Sequence, residues 1–297
     1  MEEHNYVAFR KERDLGAIIT DTFKFIRLEW KPFFSYVFKI AIIPILLAVA
    51  SVLYISYASS KAFSGIDVEN LNTFNDENLY GNSVEIIVAV FLMMVFYLVA
   101  YVMVNIGSLY YIKSYIENKG QVNFEEIKQK VGEKFWAFVG LGILIGLIVF
   151  ASMILCFFPA IYTGIVLSLA SSILVFENKT VSNAIGDSFN FIKGHWWETF
   201  GISIVIGILV SILNYIFSIP VVIYQLIQGM SLLGTDDPTQ MMGMFSDPVY
   251  LVLNVIANAG QFLFSSITLI ATVLVYFDIN EQKNASGTLN QIDGLGR

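Results

Sequence analysis

The sequence predicts an all-α, polytopic membrane protein with six transmembrane helices, three cytoplasmic interfacial amphipathic helices and an approximate three-fold internal repeat. Composition predicts the class, because 56% of the 297 residues are hydrophobic and only 14% are charged. Soluble domains carry about 25% charged residues. Six apolar segments long enough to cross a bilayer, together with a helical motif that recurs along the chain, predict the architecture.

The recurring motif is clearest between Thr180 and Gly207. At helical spacing one face is apolar and the opposite face is polar. The apolar face holds Val181, Ala184, Ile185, Ser188, Phe189 and Ile192, and the polar face holds Asn183, Asp187, Asn190 and Lys193. Two tryptophans follow, and the chain is wholly apolar after Glu198. This order predicts an amphipathic helix in the membrane interface, an aromatic anchor and a helix that enters the bilayer.

The same motif opens the protein. Between Asp21–Phe34 and Asp187–Phe200, six of fourteen residues are identical. A weaker copy precedes Trp136, whose following residues align with those after Trp197. We therefore predict one membrane domain with repeat units of about 15–112, 123–176 and 181–278, followed by a polar cytoplasmic tail at 279–297. The predicted interfacial anchors are Trp30, Trp136, Trp196 and Trp197.

Local signals place the elements in order. Residues 1–14 form a polar lead-in that ends at Asp14, the expected N-cap of the first interfacial helix, and Pro32 is expected to end that helix. A tight turn at Phe158–Pro159 is expected between the third and fourth spans, and Asp247–Pro248 is expected to begin the sixth. The six spans are predicted at about 33–57, 84–112, 136–157, 160–176, 200–227 and 249–277.

Basic residues predict the orientation. The segments on the side of the N-terminus carry 16 Lys and Arg residues, whereas the opposite loops carry one, Lys61. Since cytoplasmic loops are enriched in Lys and Arg, both termini and all three interfacial helices are expected in the cytoplasm. No short apolar run follows the charged start of the chain, so we expect no cleavable signal peptide.

The stretch Phe157–Gly201, FFPAIYTGIVLSLASSILVFENKTVSNAIGDSFNFIKGHWWETFG, resembles the membrane domain of glycerophosphodiester phosphodiesterase and related bacterial membrane proteins. The shared pattern is Pro-small-Ile-Tyr, an apolar span, an acidic residue, and an amphipathic helix closing with Gly-x-Trp. Ala160 and Val166 depart from it, since the family commonly has glycine and often a basic residue there. The resemblance implies the fold and a bacterial inner membrane. It transfers no catalytic residue, because the phosphodiesterase's active domain is a separate soluble one.

Catalytic patterns are missing from the sequence. The two histidines, His4 and His195, lie in no metalloprotease motif, and neither a nucleophile elbow nor a phosphate-binding glycine loop occurs. We therefore expect no enzyme activity, no metal site and no cofactor. The inner parts of the spans hold no ionisable residue, which argues against a coupled transporter. Membrane lipids and a protein partner are expected as ligands, and nucleic acid is not; oligomerisation stays open.

A polar stripe in the sixth span is the best candidate site. Asn105 and Asn214, on other spans, are its natural partners. One interpretation is interhelical hydrogen bonding, worth about 0.6–2 kcal/mol per bond. The other is a hydrophilic path or a headgroup-binding cleft. The stripe consists of Asn254, Asn258, Gln261, Ser265, Thr268 and Thr272.

Two functions follow from these interpretations. The leading expectation is a non-catalytic scaffold or accessory protein that engages lipids and partner proteins through its cytoplasmic interfacial helices. The alternative is a permease or channel-like protein that moves a small or amphiphilic solute along the stripe. A midplane water cavity beside the stripe would favour the alternative, and a dry, packed seam would favour the scaffold.

Overall fold

The computed structural model describes the main chain of residues 6–64, 76–231 and 247–284, and their side chains except those of 60–64, 76–82 and 231. Within these ranges every regular element is an α-helix. The helices are α1 Leu15–Ser64, α2 Asp76–Glu117, α3 Phe124–Leu155, α4 Phe157–Ser168, α5 Ala170–Phe176, α6 Val181–Phe191, α7 Trp196–Ser231 and α8 Pro248–Asn284. Five of them, and α4 with α5 together, are long and apolar enough to cross a membrane. The prediction of an all-helical chain with six such segments is confirmed.

Two predicted helix starts are confirmed by their caps. The backbone N–H of Ala17 donates to Asp14 Oδ1 at 2.7 Å, in the first turn of α1. The N–H of Val249 donates to Asp247 Oδ1 at 2.8 Å, and Pro248 is the first residue of α8. Both carboxylates satisfy donors that have no partner inside their helix. Proline is well suited to this first position because its missing N–H is not needed there.

The predicted break at Pro32 is wrong, since α1 continues through it to Ser64. Phe25 and Phe33, on either side of the proline, are both fully buried. Their rings meet edge to face with centroids 5.8 Å apart. Proline inside a helix costs about 3 kcal/mol. Burial of two aromatic side chains is of similar or larger size and keeps the helix continuous.

The second predicted interfacial segment is also continuous with its span, because α3 runs unbroken from Phe124 through Trp136. The third is a separate helix, α6, capped by Thr180. A turn containing Gly194 at φ +88° separates α6 from α7. Such a φ strains any residue with a Cβ, so glycine is the appropriate residue there. Whether these three segments lie in the membrane interface stays a prediction.

Two further boundaries differ from expectation. The turn between the third and fourth spans lies at Cys156, which is extended, and Pro159 already belongs to the first turn of α4. The predicted turn at Phe158–Pro159 is therefore wrong by two residues. The fourth span is interrupted at the buried residue Leu169, between α4 and α5.

The chain forms two compact units. The first unit comprises residues 1–41, 102–210 and 265–297, and the second unit comprises residues 42–101 and 211–264. Each unit draws on several of the predicted repeats. Equivalent positions of the first and third copies are buried alike, since Ile18, Ala184, Thr22 and Ser188 are all fully buried. The three-fold repeat itself stays a prediction.

An aromatic cluster forms the core of the first unit. Phe25 lies edge to face against Phe9 and Tyr115, with ring centroids 5.3 and 5.2 Å away. Such pairs are favourable beyond the apolar area that they bury. The fully buried Phe9 and the 3.1 Å bond from the Val7 N–H to the Tyr115 hydroxyl show that the N-terminal residues are packed. The predicted polar lead-in is therefore anchored through Val7, Phe9 and Arg13, which are buried, whereas Ala8 and residues 10–12 are exposed.

Arg13 fastens this N-terminal strap, residues 6–14. Its side chain is fully buried and its Nε donates to Asp21 Oδ2 at 2.9 Å. The guanidinium also donates to the carbonyls of Phe9, Lys11 and Ala8. The Arg13 backbone N–H donates to Oδ1 of the buried Asp278 at 2.7 Å. The strap is thus hydrogen-bonded to the start of α1 and to the last turns of α8.

The end of α8 lies inside the first unit. Ile279 and Glu281 are 1% and 3% exposed, and the helix continues to Asn284. The predicted polar tail therefore does not begin at 279, and residues 285–297 of it lie outside the described residues. Lys283 donates to the carbonyls of Asn190 and Phe191 at the C-terminal end of α6. A cation there also interacts favourably with the helix dipole.

A cluster of charged residues links the beginning of α6 to the end of α5 and to α8. Lys179 Nζ lies 2.6 Å from Asp187 Oδ2 and 2.8 Å from Glu177 Oε2. The Tyr276 hydroxyl donates to Glu177 Oε1 at 3.1 Å. The hydrogen bonds to Asp187 and then to Glu177 raise the pKa of Lys179. Asp187 is therefore part of the α6 ion pairing and not a solitary polar-face residue.

In the second unit, α7 and α8 approach closely at Gly260. A Cβ added there would lie 3.2 Å from Cδ1 of Phe217, which is closer than ordinary packing allows. Phe217 and Phe264 meet edge to face at 4.9 Å. Between these two positions of α8, the ring of Phe262 lies 4.7 Å from that of Tyr97 on α2. These contacts hold the helices that carry the candidate site.

Candidate functional site

The polar stripe of α8 divides between the two units. Asn254, Asn258 and Gln261 belong to the second unit, and the remaining stripe residues belong to the first. The two halves have different surroundings and are described separately. Each half bears differently on the two interpretations of the stripe.

A cleft of about 350 Å³ lies beside the three amides, lined by residues of α7 and α8. We call it the amide cleft. Its volume falls in the range of small-molecule sites, about 300–1,000 Å³. The lining is mostly polar and uncharged. It consists of Ser211, Asn214, Tyr215, Ser218, Val221, Val222, Asn254, Ala257, Asn258 and Gln261.

Two of the stripe amides are hydrogen-bonded within the protein. The Tyr97 hydroxyl, on α2, donates to Asn258 Oδ1 at 3.0 Å. Asn258 Nδ2 donates to Oδ1 and to the main-chain carbonyl of Asn254 at 2.6 and 2.8 Å. Asn254 Nδ2 donates to the Tyr250 hydroxyl at 3.2 Å. Asn258 therefore links two helices, as hydrogen-bonding glue would, whereas Asn254 is bonded within its own helix.

Other polar groups of the cleft have no such partner. Among the described residues, the side-chain amide of Asn214, the Ser211 hydroxyl and the Gln261 Nε2 group make no hydrogen bond to protein. Gln261 Oε1 lies 3.5 Å from the Tyr97 hydroxyl, at the limit of a hydrogen bond. Ser211 and Gln261 are exposed and Asn214 is half-buried, so these groups are accessible. The amide cleft thus presents donors and acceptors to a molecule that enters it.

The other half of the stripe borders a much smaller cavity. Thr268 and Thr272 line a space of about 20 Å³ with Ser168, Thr199 and Ser203. This volume holds about one water molecule. Several of these hydroxyls bond to carbonyls of their own helix, as Thr272 does to Thr268 at 2.9 Å. Thr268 is exposed and Thr272 is half-buried, so this half is neither a cleft nor a fully packed seam. Ser265 also has an interaction within the protein.

The two predicted partners of the stripe differ in position. Asn214 lines the amide cleft, but its side chain makes no hydrogen bond to the stripe amides. Asn105 belongs to the first unit and does not line the cleft. Four further residues of the site were not predicted from the sequence. They are Tyr97 on α2 and, on α7, Ser211, Tyr215 and Ser218, which recur with Asn214 at helical spacing. That periodicity could have revealed the second wall of the cleft.

The four predicted anchor tryptophans are not equivalent. Trp136 and Trp197 are each 78% exposed, and Trp30 is 55% exposed. Trp196 instead stacks on Phe200 and Tyr162, with centroids 5.0 and 5.8 Å away. Trp196 is thus an element of aromatic packing.

Other kinds of site have little support in the structure. Within the described ranges, no three His, Cys, Asp or Glu side chains come together as metal ligands would. Comparison of the chain with protein-family models, with curated proteins and with solved structures finds no match. The resemblance to the phosphodiesterase membrane domain therefore rests on Phe157–Gly201, and the function has to be argued from the amide cleft.

Tyr97→Phe tests the structural part of the site. It removes the hydroxyl that bonds Asn258 and keeps the ring against Phe262, so unfolding should become easier by about 0.6–2 kcal/mol. Thermal unfolding in detergent measures this loss. Tyr54→Phe is the matched control, because the Tyr54 hydroxyl has no hydrogen bond among the described residues. Equal melting temperatures for the two variants would show that the Tyr97 bond does not join the helices.

Proposed function

We propose that the protein is a non-catalytic, permease-like membrane protein that binds an amphiphilic molecule with its polar part in the amide cleft. The observation that carries the proposal is the cleft of about 350 Å³. Its Asn214, Ser211 and Gln261 side chains have hydrogen-bonding groups without partners among the described residues. A scaffold alone would leave no reason for polar groups to remain unpaired at a membrane-spanning segment.

The surroundings of the cleft favour a ligand with an apolar tail. Tyr215 and Val222, two residues of its lining on α7, are 74% and 47% exposed. In a bilayer these side chains contact acyl chains. A molecule with a polar head and an apolar tail would satisfy the amides and stay in contact with this surface. A free ion would gain nothing from it.

The membrane and orientation belong to the same proposal. The phosphodiesterase-like stretch supports a bacterial inner membrane, and the sixteen basic residues against one support cytoplasmic termini. The scaffold function is the second candidate, favoured by the exposed Trp136 and Trp197 on the first unit. Aromatic side chains of this kind attach proteins to lipid headgroups and partner surfaces.

Photo-crosslinking in lipid nanodiscs tests the binding proposal. Photoactivatable diacylglycerol, phosphatidylcholine and phosphatidylglycerol are added separately, and cross-linked peptides are mapped by mass spectrometry. At least one lipid should react with the 211–222 and 254–261 peptides. Asn214→Leu should lower this reaction about tenfold, because two hydrogen bonds to a ligand are worth roughly 1–3 kcal/mol.

Asn105→Leu is the control for Asn214→Leu, because the same side chain is changed outside the cleft. Asn105 has an interaction within the protein, so its loss should lower the melting temperature and leave cross-linking at the cleft unchanged. Asn214 has none through its side chain, so Asn214→Leu should melt like the wild type. Cross-linking of Asn214→Leu at the wild-type level would contradict the proposal.

A further inference from the structure

The amide cleft is free of charge. Among the described side chains, its polar groups are amides and hydroxyls, and no carboxylate, ammonium or guanidinium group lines it. Among the described side chains of the second unit, the charged residues are Glu85 and Asp247, and neither lines the cleft. A charged headgroup that moved from water into the cleft would thus find no counter-ion there. That transfer is far more costly than the transfer of a neutral, hydrogen-bonded group.

The sequence of the second unit is also strongly acidic. Its ranges, 42–101 and 211–264, contain eight Asp and Glu residues and one basic residue, Lys61. The whole excess negative charge of the protein, −7, therefore lies in this unit. Among the described side chains of this unit there is no Lys or Arg to pair with a phosphate or carboxylate headgroup. This distinguishes the unit from the many lipid sites that hold a phosphate with Lys or Arg.

The unpaired groups of the cleft both donate and accept. The Asn214 amide offers two N–H donors and a carbonyl, Gln261 offers its Nε2 donor, and Ser211 offers a hydroxyl. A hydroxyl group can pair with each of them because it donates and accepts. A phosphate or carboxylate accepts only, and an ammonium group donates only. A headgroup with several hydroxyls is the class that uses all of these groups.

We propose that the amide cleft selects an uncharged, hydroxyl-bearing headgroup, such as that of a glycosyl diacylglycerol, over anionic and cationic lipids. The inference rests on the proposed binding function and specifies its ligand. The volume of about 350 Å³ limits the occupant to a small headgroup. The exposed Tyr215 and Val222, which line the cleft, contact its acyl chains.

Competition of the cleft cross-link tests the selectivity. Nanodiscs containing photoactivatable diacylglycerol receive unlabelled glucosyl diacylglycerol, phosphatidylglycerol or a dioleoyl trimethylammonium lipid at equal mole fractions. The glycolipid should halve cross-linking at a concentration about tenfold lower than either charged lipid. Phosphatidylglycerol or the cationic lipid competing as well as the glycolipid would overturn the inference. No cross-link at the cleft with any lipid would overturn the binding function itself.

Introducing a cation should reverse the preference. Asn214→Lys places an ammonium group in the cleft, and phosphatidylglycerol should then become the stronger competitor. Gln261→Lys is a second variant, and the exposed position of Gln261 makes it tolerant of change. Asn105→Lys, outside the cleft, should leave the competition order unchanged. Unaltered glycolipid preference in both cleft variants, with lipid still bound, would show that the headgroup lies elsewhere.

Discussion

Replacing Arg13 with methionine is expected to lower the free energy of unfolding by about 3 kcal/mol, since the loss of one partner of a buried ion pair typically costs 3–5 kcal/mol. The Arg13 side chain is fully buried, and its Asp21 partner is 20% exposed, which places the expectation at the lower end. The substitution also leaves the carbonyls of Phe9, Lys11 and Ala8 without their donor. Methionine keeps much of the packing volume, so the loss reports hydrogen bonds and charge.

Arg10→Met is the matched control, because Arg10 is exposed and lies three residues away on the same strap. Thermal unfolding of both variants in detergent should show a clear decrease for Arg13→Met and almost none for Arg10→Met. Limited proteolysis gives an independent measurement, because a released strap exposes its peptide bonds. Similar melting and cleavage of the two variants would contradict the role assigned to Arg13.

Features that depend on a few neighbouring residues could be predicted from the sequence. The caps at Asp14 and Asp247 need only a carboxylate and the two or three residues that follow. The apolar face predicted for α6 is the face that the first unit buries, with Ala184 and Ser188 fully inside. Hydropathy alone located six spans, because length and composition suffice for that purpose.

Features that depend on distant residues could not be predicted. The residues before α1 look polar, but their burial comes from Tyr115 and Asp278, which are 108 and 265 positions away from their partners. Pro32 alone predicts a helix end, but α1 continues through it because Phe25 and Phe33 pack together. The acidic residues near the end of α8 likewise resemble a tail, although Asp278 and Glu281 are buried.

Only one of the two walls of the candidate site was predicted from the sequence. Periodicity identified the α8 wall through Asn254, Asn258 and Gln261. It could not show that one half of the stripe borders a cleft of about 350 Å³ and the other a cavity of about 20 Å³, because cavities depend on the separation of helices. The role of Tyr97 could not be predicted either, because a single tyrosine in an apolar span forms no recurring pattern.

Cysteine labelling should give an all-or-none result for the orientation. A membrane-impermeant thiol reagent applied to intact cells should label cysteines introduced at Asn75 and Thr239 and should not label one at Ser286. These positions lie outside the described residues and are chosen from the sequence. Cys156 has to be replaced by alanine first, because its thiol is exposed. After permeabilisation all three variants should react, which shows that each thiol is reactive.

The physical reason is the distribution of basic residues. Sixteen Lys and Arg residues lie in the segments on the side of the N-terminus and one lies opposite, and short basic loops are retained in the cytoplasm. Acidic residues contribute little to this effect, so the net charge of −7 does not weaken it. Labelling of the Ser286 cysteine alone in intact cells would contradict the predicted orientation and indicate the opposite one. In that case the sixteen basic residues would lie on the exterior, whereas basic loops are normally retained in the cytoplasm.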